Sequence, residues 1–259
     1  MLIEAAALTL SQTQGLLFIA FVVFLRVGAA VAVMPAFGER AVPMRVRLML
    51  ALGLTVIVAP AAADHFSILT NLPPLGLVFA TETIAGLAIG AGIRLFIFAL
   101  QMCGSMAAQA TSLAQIFGGN AADPLPAIGH IMVTSALALT TMMGLHVKVV
   151  VLFLLSYDFL PLGQFIDAGN LTPWGLSRIA SAFSLSFTLA APFVVAALIY
   201  NLALGVINKA MPQLMVAFVG APAITLGGLV LLVLSLPIIL ATWSDRLDLF
   251  LAAPFVGEK

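Results

Sequence analysis

Three histidines, His65, His130 and His146, are the side chains best suited to carry a proton or hold a metal. They stand far apart, with no paired carboxylates beside them. Zinc sites draw on closely spaced His, Cys and carboxylate ligands, so no metal-ligand set is legible. Serine, histidine and aspartate all occur, but their spacing suggests no triad, and there is no G-x-S-x-G elbow, P-loop or dinucleotide fingerprint. The chain reads as a non-enzyme without cofactor or metal, and it has no motif for nucleotide hydrolysis.

The remaining chemistry lies in ionisable groups set inside apolar runs: Arg26, Glu82, Arg94 and Lys148. Each costs about 2.5–3.5 kcal/mol on insertion scales if left facing lipid, so each must face protein, a wet cavity or an interface. A proton or ion pathway is one reading of such residues. An interhelical or intersubunit ion pair, such as Arg26 with Glu82, is the stronger one, because a coupled transporter usually carries more mid-helix acids than this single glutamate. Arg94 and Lys148 are long enough to snorkel to a boundary.

The stretch QMCGSMAAQATSLAQIFGGNAADPLP, Gln101 to Pro126, is of another kind. It is too polar for a comfortable lipid-facing helix and too poor in charge for an ordinary solvated loop. Irregular backbone at membrane depth is tolerated only inside protein or along an aqueous passage. Gly118-Gly119 permits tight folding there, and Ile116 and Phe117 are apolar enough to obstruct a pore by dewetting. A plain amphipathic surface loop is the alternative.

The elements that must position these residues follow from composition. Of 259 residues, 63% are hydrophobic and 8% charged, with ten basic and ten acidic side chains in balance. A soluble domain carries roughly 25% charged residues, so this is an all-α, membrane-associated chain. With no basic stripe, a nucleic-acid partner has no electrostatic footing. Cys103 is the only cysteine, which excludes a disulfide framework. Glu4 and the polar Ser11–Gln14 replace the basic region of a signal peptide, so the first apolar run is expected in the mature protein.

Apolar segments run from Leu16 to Met34, Leu48 to Ala63, Leu75 to Leu100, His130 to Leu155, Leu176 to Ile207 and Leu214 to Trp243. They predict about six long, partly kinked helices arranged as hairpins. Breaks fall at Pro35 and Pro43, at Pro73-Pro74, at Gly118-Gly119-Asn120 with Asp123-Pro124, over Asp158 to Pro173, and at Asn208 to Pro212. Arg40, Arg45 and Arg47 mark one connector as cytoplasmic and Lys209 another; connectors 64–74 and 156–173 lack Lys and Arg and fall outside. Gly86 and Gly90 form a GxxxG face suited to close helix packing, and Met142-Met143 reads as adaptable packing.

Four stretches, in order, resemble one family. They are FLRVGAAVAVMPAFGERAVPMRVRLMLALGL (Phe24–Leu54), ETIAGLAIGAGIRLFIFALQMCGSMAAQATSLAQIFGGNAADP (Glu82–Pro124), SYDFLPLG (Ser156–Gly163) and INKAMPQLMVAFVGAPAITLGGL (Ile207–Leu229). Together they are similar to the FliR/SctT family of type III secretion export-gate components. Met215 stands where that pattern usually has Asn. The resemblance implies a single domain over 1–259, with a FliP-like part over 1–175 and a FliQ-like hairpin over 176–259. It implies a structural and gating subunit that forms the secretion pore with FliP- and FliQ-like chains, contacts FlhB- and FlhA-like export proteins, and passes exported protein substrates. Its place would be the bacterial inner membrane, multi-pass and in contact with lipid, within the flagellar basal body. The plug would comprise Ile116, Phe117, Gly118, Gly119, Asn120, Asp123 and Pro124, with Arg26 and Glu82 as buried polar support. Asn208, Met211, Pro212 and Gln213 would form an assembly turn. A stand-alone multi-span solute transporter is the alternative, and an intramembrane hydrolase a more distant one.

Overall fold

The computed structural model describes residues 2–39, 41–67, 74–112, 127–164, 168–211 and 216–255. Over these residues the chain is helical, in the order α1 (Leu2–Val33), α2 (Met44–Ala61), α3 (Ala63–Ser67), α4 (Leu75–Ser112), α5 (Ala127–Met142), α6 (Leu145–Phe159), α7 (Ala168–Ala210) and α8 (Val216–Ala252). An apolar run in hydrocarbon has no water for its peptide groups, and the helix satisfies them within the segment. Five helices are long and apolar enough to span a membrane, and the pair α5 and α6, bent by 74°, makes a sixth candidate. The bend falls where Gly144 adopts φ 72°, a left-handed conformation open to glycine.

Two boundaries differ from the sequence reading. Gln101–Ser112 is the C-terminal part of α4 rather than irregular backbone; its Met, Ala and Gln residues are good helix formers. Pro173, expected in a polar connector, lies inside α7, which begins at Ala168.

The chain forms two compact units, one of Met1–Arg94, Thr141–Arg178 and Asp248–Lys259, the other of Leu95–Thr140 and Ile179–Leu247. In the first, α1 buries Val23, Val27, Ala30 and Val31, and α4 buries Val78, Ala85, Ile89 and Ile93. These sit about one or two turns apart, the spacing that puts side chains on one helix face. Gly86 and Gly90 let the two backbones approach: a Cβ on Gly90 would lie 2.6 Å from the Ala30 carbonyl oxygen, and one on Gly86 would collide with the Arg26 carbonyl oxygen. Close contact through small residues replaces the hydrophobic drive that lipid removes.

In the second unit, Gly104 of α4 and Gly129 of α5 meet backbone to backbone. Trp243, buried on α8, donates from Nε1 to the Phe96 carbonyl at 2.8 Å. Near the end of the α7–α8 hairpin, the Tyr200 hydroxyl donates to the Gly220 carbonyl at 2.8 Å. Ser186 and Thr188 of α7 donate to carbonyls of their own helix, at Phe183 and Ser184.

Gly86→Ala is expected to destabilise the protein by about 1–3 kcal/mol through overpacking. Gly53→Ala, whose Cβ would meet nothing within 4 Å, is expected to be neutral or stabilising by up to about 1 kcal/mol. Thermal unfolding in detergent, read by circular dichroism, separates the two.

Candidate functional site

Arg26 lies in α1, where its own carbonyl faces Gly86 of α4, and its side chain is 1% exposed. A guanidinium so placed needs a counter-charge and acceptors for its fork of N–H groups. Glu82, in the second turn of α4, supplies the charge. Arg26 Nε donates to Glu82 Oε2 at 2.7 Å, and Nη2 donates to Oε1 at 3.0 Å. This is the bidentate geometry that makes arginine–carboxylate pairs strong.

The rest of the cradle comes from the end of α6. Nη1 donates to Ser156 Oγ at 2.9 Å, and Nη2 also donates to the Leu160 carbonyl at 2.8 Å. Ser156 in turn donates to the Phe153 carbonyl at 2.6 Å, which fixes its lone pairs toward the arginine. The Tyr157 ring covers the guanidinium at 3.8 Å, a cation–π contact in a desolvated setting. Gly163, with φ 66°, turns its backbone N–H onto the Glu82 carboxylate. Both ions are therefore satisfied from three helices and one turn.

This geometry joins three of the motifs that the sequence presents separately. Arg26 belongs to the first, Glu82 opens the second, and Ser156, Tyr157, Leu160 and Gly163 are half of SYDFLPLG. Sequence reasoning named Arg26 and Glu82 but missed the four groups from the third stretch. A polar dipeptide at the close of an apolar helix was the available signal.

A second arginine braces the neighbouring turn. Arg94 Nη1 donates to the Val33 carbonyl at the end of α1, at 2.9 Å, and lies 3.8 Å from Glu39. Arg47 donates to the Val42 and Glu39 carbonyls at 3.1 and 2.6 Å. Between them, Ala36 takes φ 67°, and a Cβ on Gly38 would stand 2.7 Å from the Ala32 carbonyl oxygen. The P-A-F-G turn is thus held by two cations and tolerates only glycine at its end. Lys148 reaches Asp248 at 2.7 Å. Arg94 and Lys148 therefore engage protein groups, where the sequence suggested snorkelling.

The other proposed residues are distributed differently. Ile116, Phe117, Gly118, Gly119, Asn120, Asp123 and Pro124 lie outside the described residues, as do Pro212 and Gln213. Asn208 is exposed in the last turn of α7, and exposed Met211 follows it, its N–H donating to the Ile207 carbonyl at 2.8 Å. Among the described residues, no three His, Cys, Asp or Glu side chains gather as metal ligands.

The profile of the family described as Bacterial export proteins, family 1, matches residues 17–250. The chain belongs to this export family. It is similar to the flagellar biosynthetic protein FliR of Caulobacter vibrioides, 34% identical over 240 residues that cover 90% of this chain and 96% of the relative. It is also similar to proteins of the same description from Bacillus subtilis, at 30% over 80% of this chain and 82% of the relative. The Escherichia coli relative is 29% identical over 83% of each chain. Family membership and the five or six apolar helices make this a multi-pass protein of the bacterial inner membrane.

Removing one member of the buried pair leaves the other charge unanswered. Glu82→Gln and Arg26→Met are each expected to destabilise the chain by about 3–5 kcal/mol. The double variant Arg26→Met/Glu82→Leu is expected to lose far less than the sum. Equilibrium unfolding in mixed micelles measures this cycle, and strict additivity would contradict the pairing.

Proposed function

We propose that this chain is a structural and gating subunit of the flagellar protein-export gate, forming the secretion pore with FliP- and FliQ-like chains. The observation that carries the reading is how little of its apolar surface the chain covers by itself. Only 17% of the apolar window in Leu171–Ala210 and 22% of that in Ala223–Ala252 are buried. Both helices exceed what a ~30 Å hydrocarbon core requires: at ~1.5 Å per residue, α7 and α8 run about 65 and 55 Å. Surface of that extent beyond the lipid calls for other protein. The family and the description of the relatives as flagellar biosynthetic proteins agree with a place in the export apparatus.

On this reading the chain performs no chemistry. Residues 1–175 act as a FliP-like part and 176–259 as a FliQ-like hairpin, with FlhB- and FlhA-like proteins as further neighbours in the basal body. The Arg26–Glu82 cradle gives internal support. Asn208, Met211, Pro212 and Gln213 form a turn that sets the hairpin for assembly. The plug is Ile116 to Asn120 with Asp123 and Pro124, reached from the C-terminal part of α4. That part of α4 borders an open cleft of about 630 Å3 lined by Phe98, Met102, Met106 and Phe183, with Gln101 and Gln109. Methionines adapt to varied shapes, which suits a surface beside a path for exported proteins.

Co-expression with FliP- and FliQ-like chains followed by mass measurement tests the assembly, and recovery of this chain alone would refute it. Deleting Ile116–Asn120 is expected to leave that assembly intact and to raise the leakage of small ions across membranes that contain it. Unchanged conductance would count against the plug. Pro212→Ala is expected to reduce the recovered complex, whereas complexes of unaltered composition would remove the turn from the assembly argument.

A further inference from the structure

The cleft beside the C-terminal part of α4 carries two rows of side chains with different chemistry. Gln101, Ser105 and Gln109 line it at intervals of four residues, and Phe98, Met102 and Met106 line it at the same interval on the neighbouring row. Residues four apart share a helix face, so the polar and apolar rows run side by side along the helix. Ile179 and Phe183 of α7 stand opposite, and no charged side chain lines the cleft.

The polar row is uncommitted. Helix hydroxyls elsewhere turn back on their own backbone: Thr81, Thr134 and Ser186 donate to carbonyls three or four residues earlier, a common habit of such residues. Among the described residues, no hydrogen bond engages the Ser105 hydroxyl or the side-chain amides of Gln101 and Gln109. Gln101 and Ser105 are half-buried and Gln109 is exposed. An occupant that covers this row must supply donors and acceptors, because polar groups buried without them cost free energy. That requirement excludes a lipid acyl chain, which has neither. A partner helix fits poorly as well, since its main-chain groups are already bonded to one another. An extended polypeptide has both kinds of main-chain group free.

The spacing agrees with that occupant. Four residues of α-helix rise about 6 Å. Two residues of extended chain advance about 6.7 Å, after which the same edge of the main chain presents again. Gln101, Ser105 and Gln109 therefore match successive main-chain groups along one edge of about five extended residues. The amide and the hydroxyl each offer a donor and an acceptor, so the row answers N–H or C=O alike, in either chain direction. We propose that this row binds an extended polypeptide through its main chain, with Phe98, Met102 and Met106 accommodating its side chains, so that recognition is tolerant of sequence. The proposal deepens the export-gate reading and rests on it for the source of the peptide, a protein in transit.

The test uses the full chain in detergent micelles and two fluorescently tagged octapeptides of alternating Val and Ser. One is unmodified; the other carries N-methyl groups on the peptide nitrogens of its central residues, which removes main-chain donors and keeps every side chain. Anisotropy titration, with empty micelles as the blank, reads both affinities. The methylated peptide is expected to bind at least about fivefold more weakly to the wild type, and Gln101→Leu/Gln109→Leu is expected to bind the two alike. No binding by the wild type, equal binding of both peptides, or a gap unchanged in the double variant overturns the proposal. The wild-type comparison decides by itself should that variant fail to fold. Recovery of the complex with FliP- and FliQ-like chains is measured in parallel. A lost gap with recovery retained removes the binding row alone, whereas a retained gap without recovery removes the export-gate reading and leaves the row's binding in place.

Discussion

A guanidinium with 1% exposure inside an apolar bundle is the constraint around which the first compact unit is arranged. Its charge and its fork of N–H groups must be answered at fixed distances and directions, and the answer takes a carboxylate, a hydroxyl, a carbonyl and an aromatic face. Apolar packing among similar aliphatic side chains is permissive about register, because sliding one helix along another exchanges one methyl contact for the next. A bidentate ion pair is not permissive. Arg26 thereby fixes the register of α1 against α4 and the placement of the end of α6, and the Gly86 and Gly90 contacts form on the alignment it sets.

Polar fixation of this sort recurs through the molecule in weaker form. Trp243 to Phe96, Tyr200 to Gly220 and Trp174 Nε1 to the Pro254 carbonyl at 2.8 Å each join a single side-chain donor to a backbone acceptor. Trp174 also stacks on Phe255, which packs in turn against Phe159. Each bond ties chain positions distant in sequence within one unit. Between these points the helices are aliphatic and largely outward-facing, so the internal architecture rests on a few directional contacts and the wider apolar surface is left for surroundings the chain does not itself supply.

The long helices were legible because hydrophobic runs, proline clusters and the scarcity of charge leave few alternatives. The α5–α6 bend was not: Met142, Met143 and Gly144 interrupt neither hydropathy nor helix propensity decisively, and only the φ of Gly144 reveals the corner. In Gln101–Ser112 the polar residues obscure the helix that the Met, Ala and Gln residues favour. At the site, Arg26 and Glu82 stood out as charges in greasy segments. Ser156 and the Leu160 carbonyl did not, since a serine and a main-chain oxygen carry no mark of their partner 130 residues away. The meeting of His65 with Asp158, 93 residues apart, was equally unmarked, since neither residue's spacing points to the other.

The partners of Arg26 are all made after it, Glu82 fifty-six residues later and Ser156 one hundred and thirty. During synthesis α1 must accordingly enter the bilayer with its cation unanswered by either partner, carried by the mean hydropathy of 2.6 in its apolar window against a penalty of about 2.5–3.5 kcal/mol. Relief comes in two stages, first as α4 is threaded in and then as α6 emerges. The order of translation thus imposes a timetable on this membrane protein: α1 stays provisional, free to shift in depth and tilt, until α6 has left the ribosome.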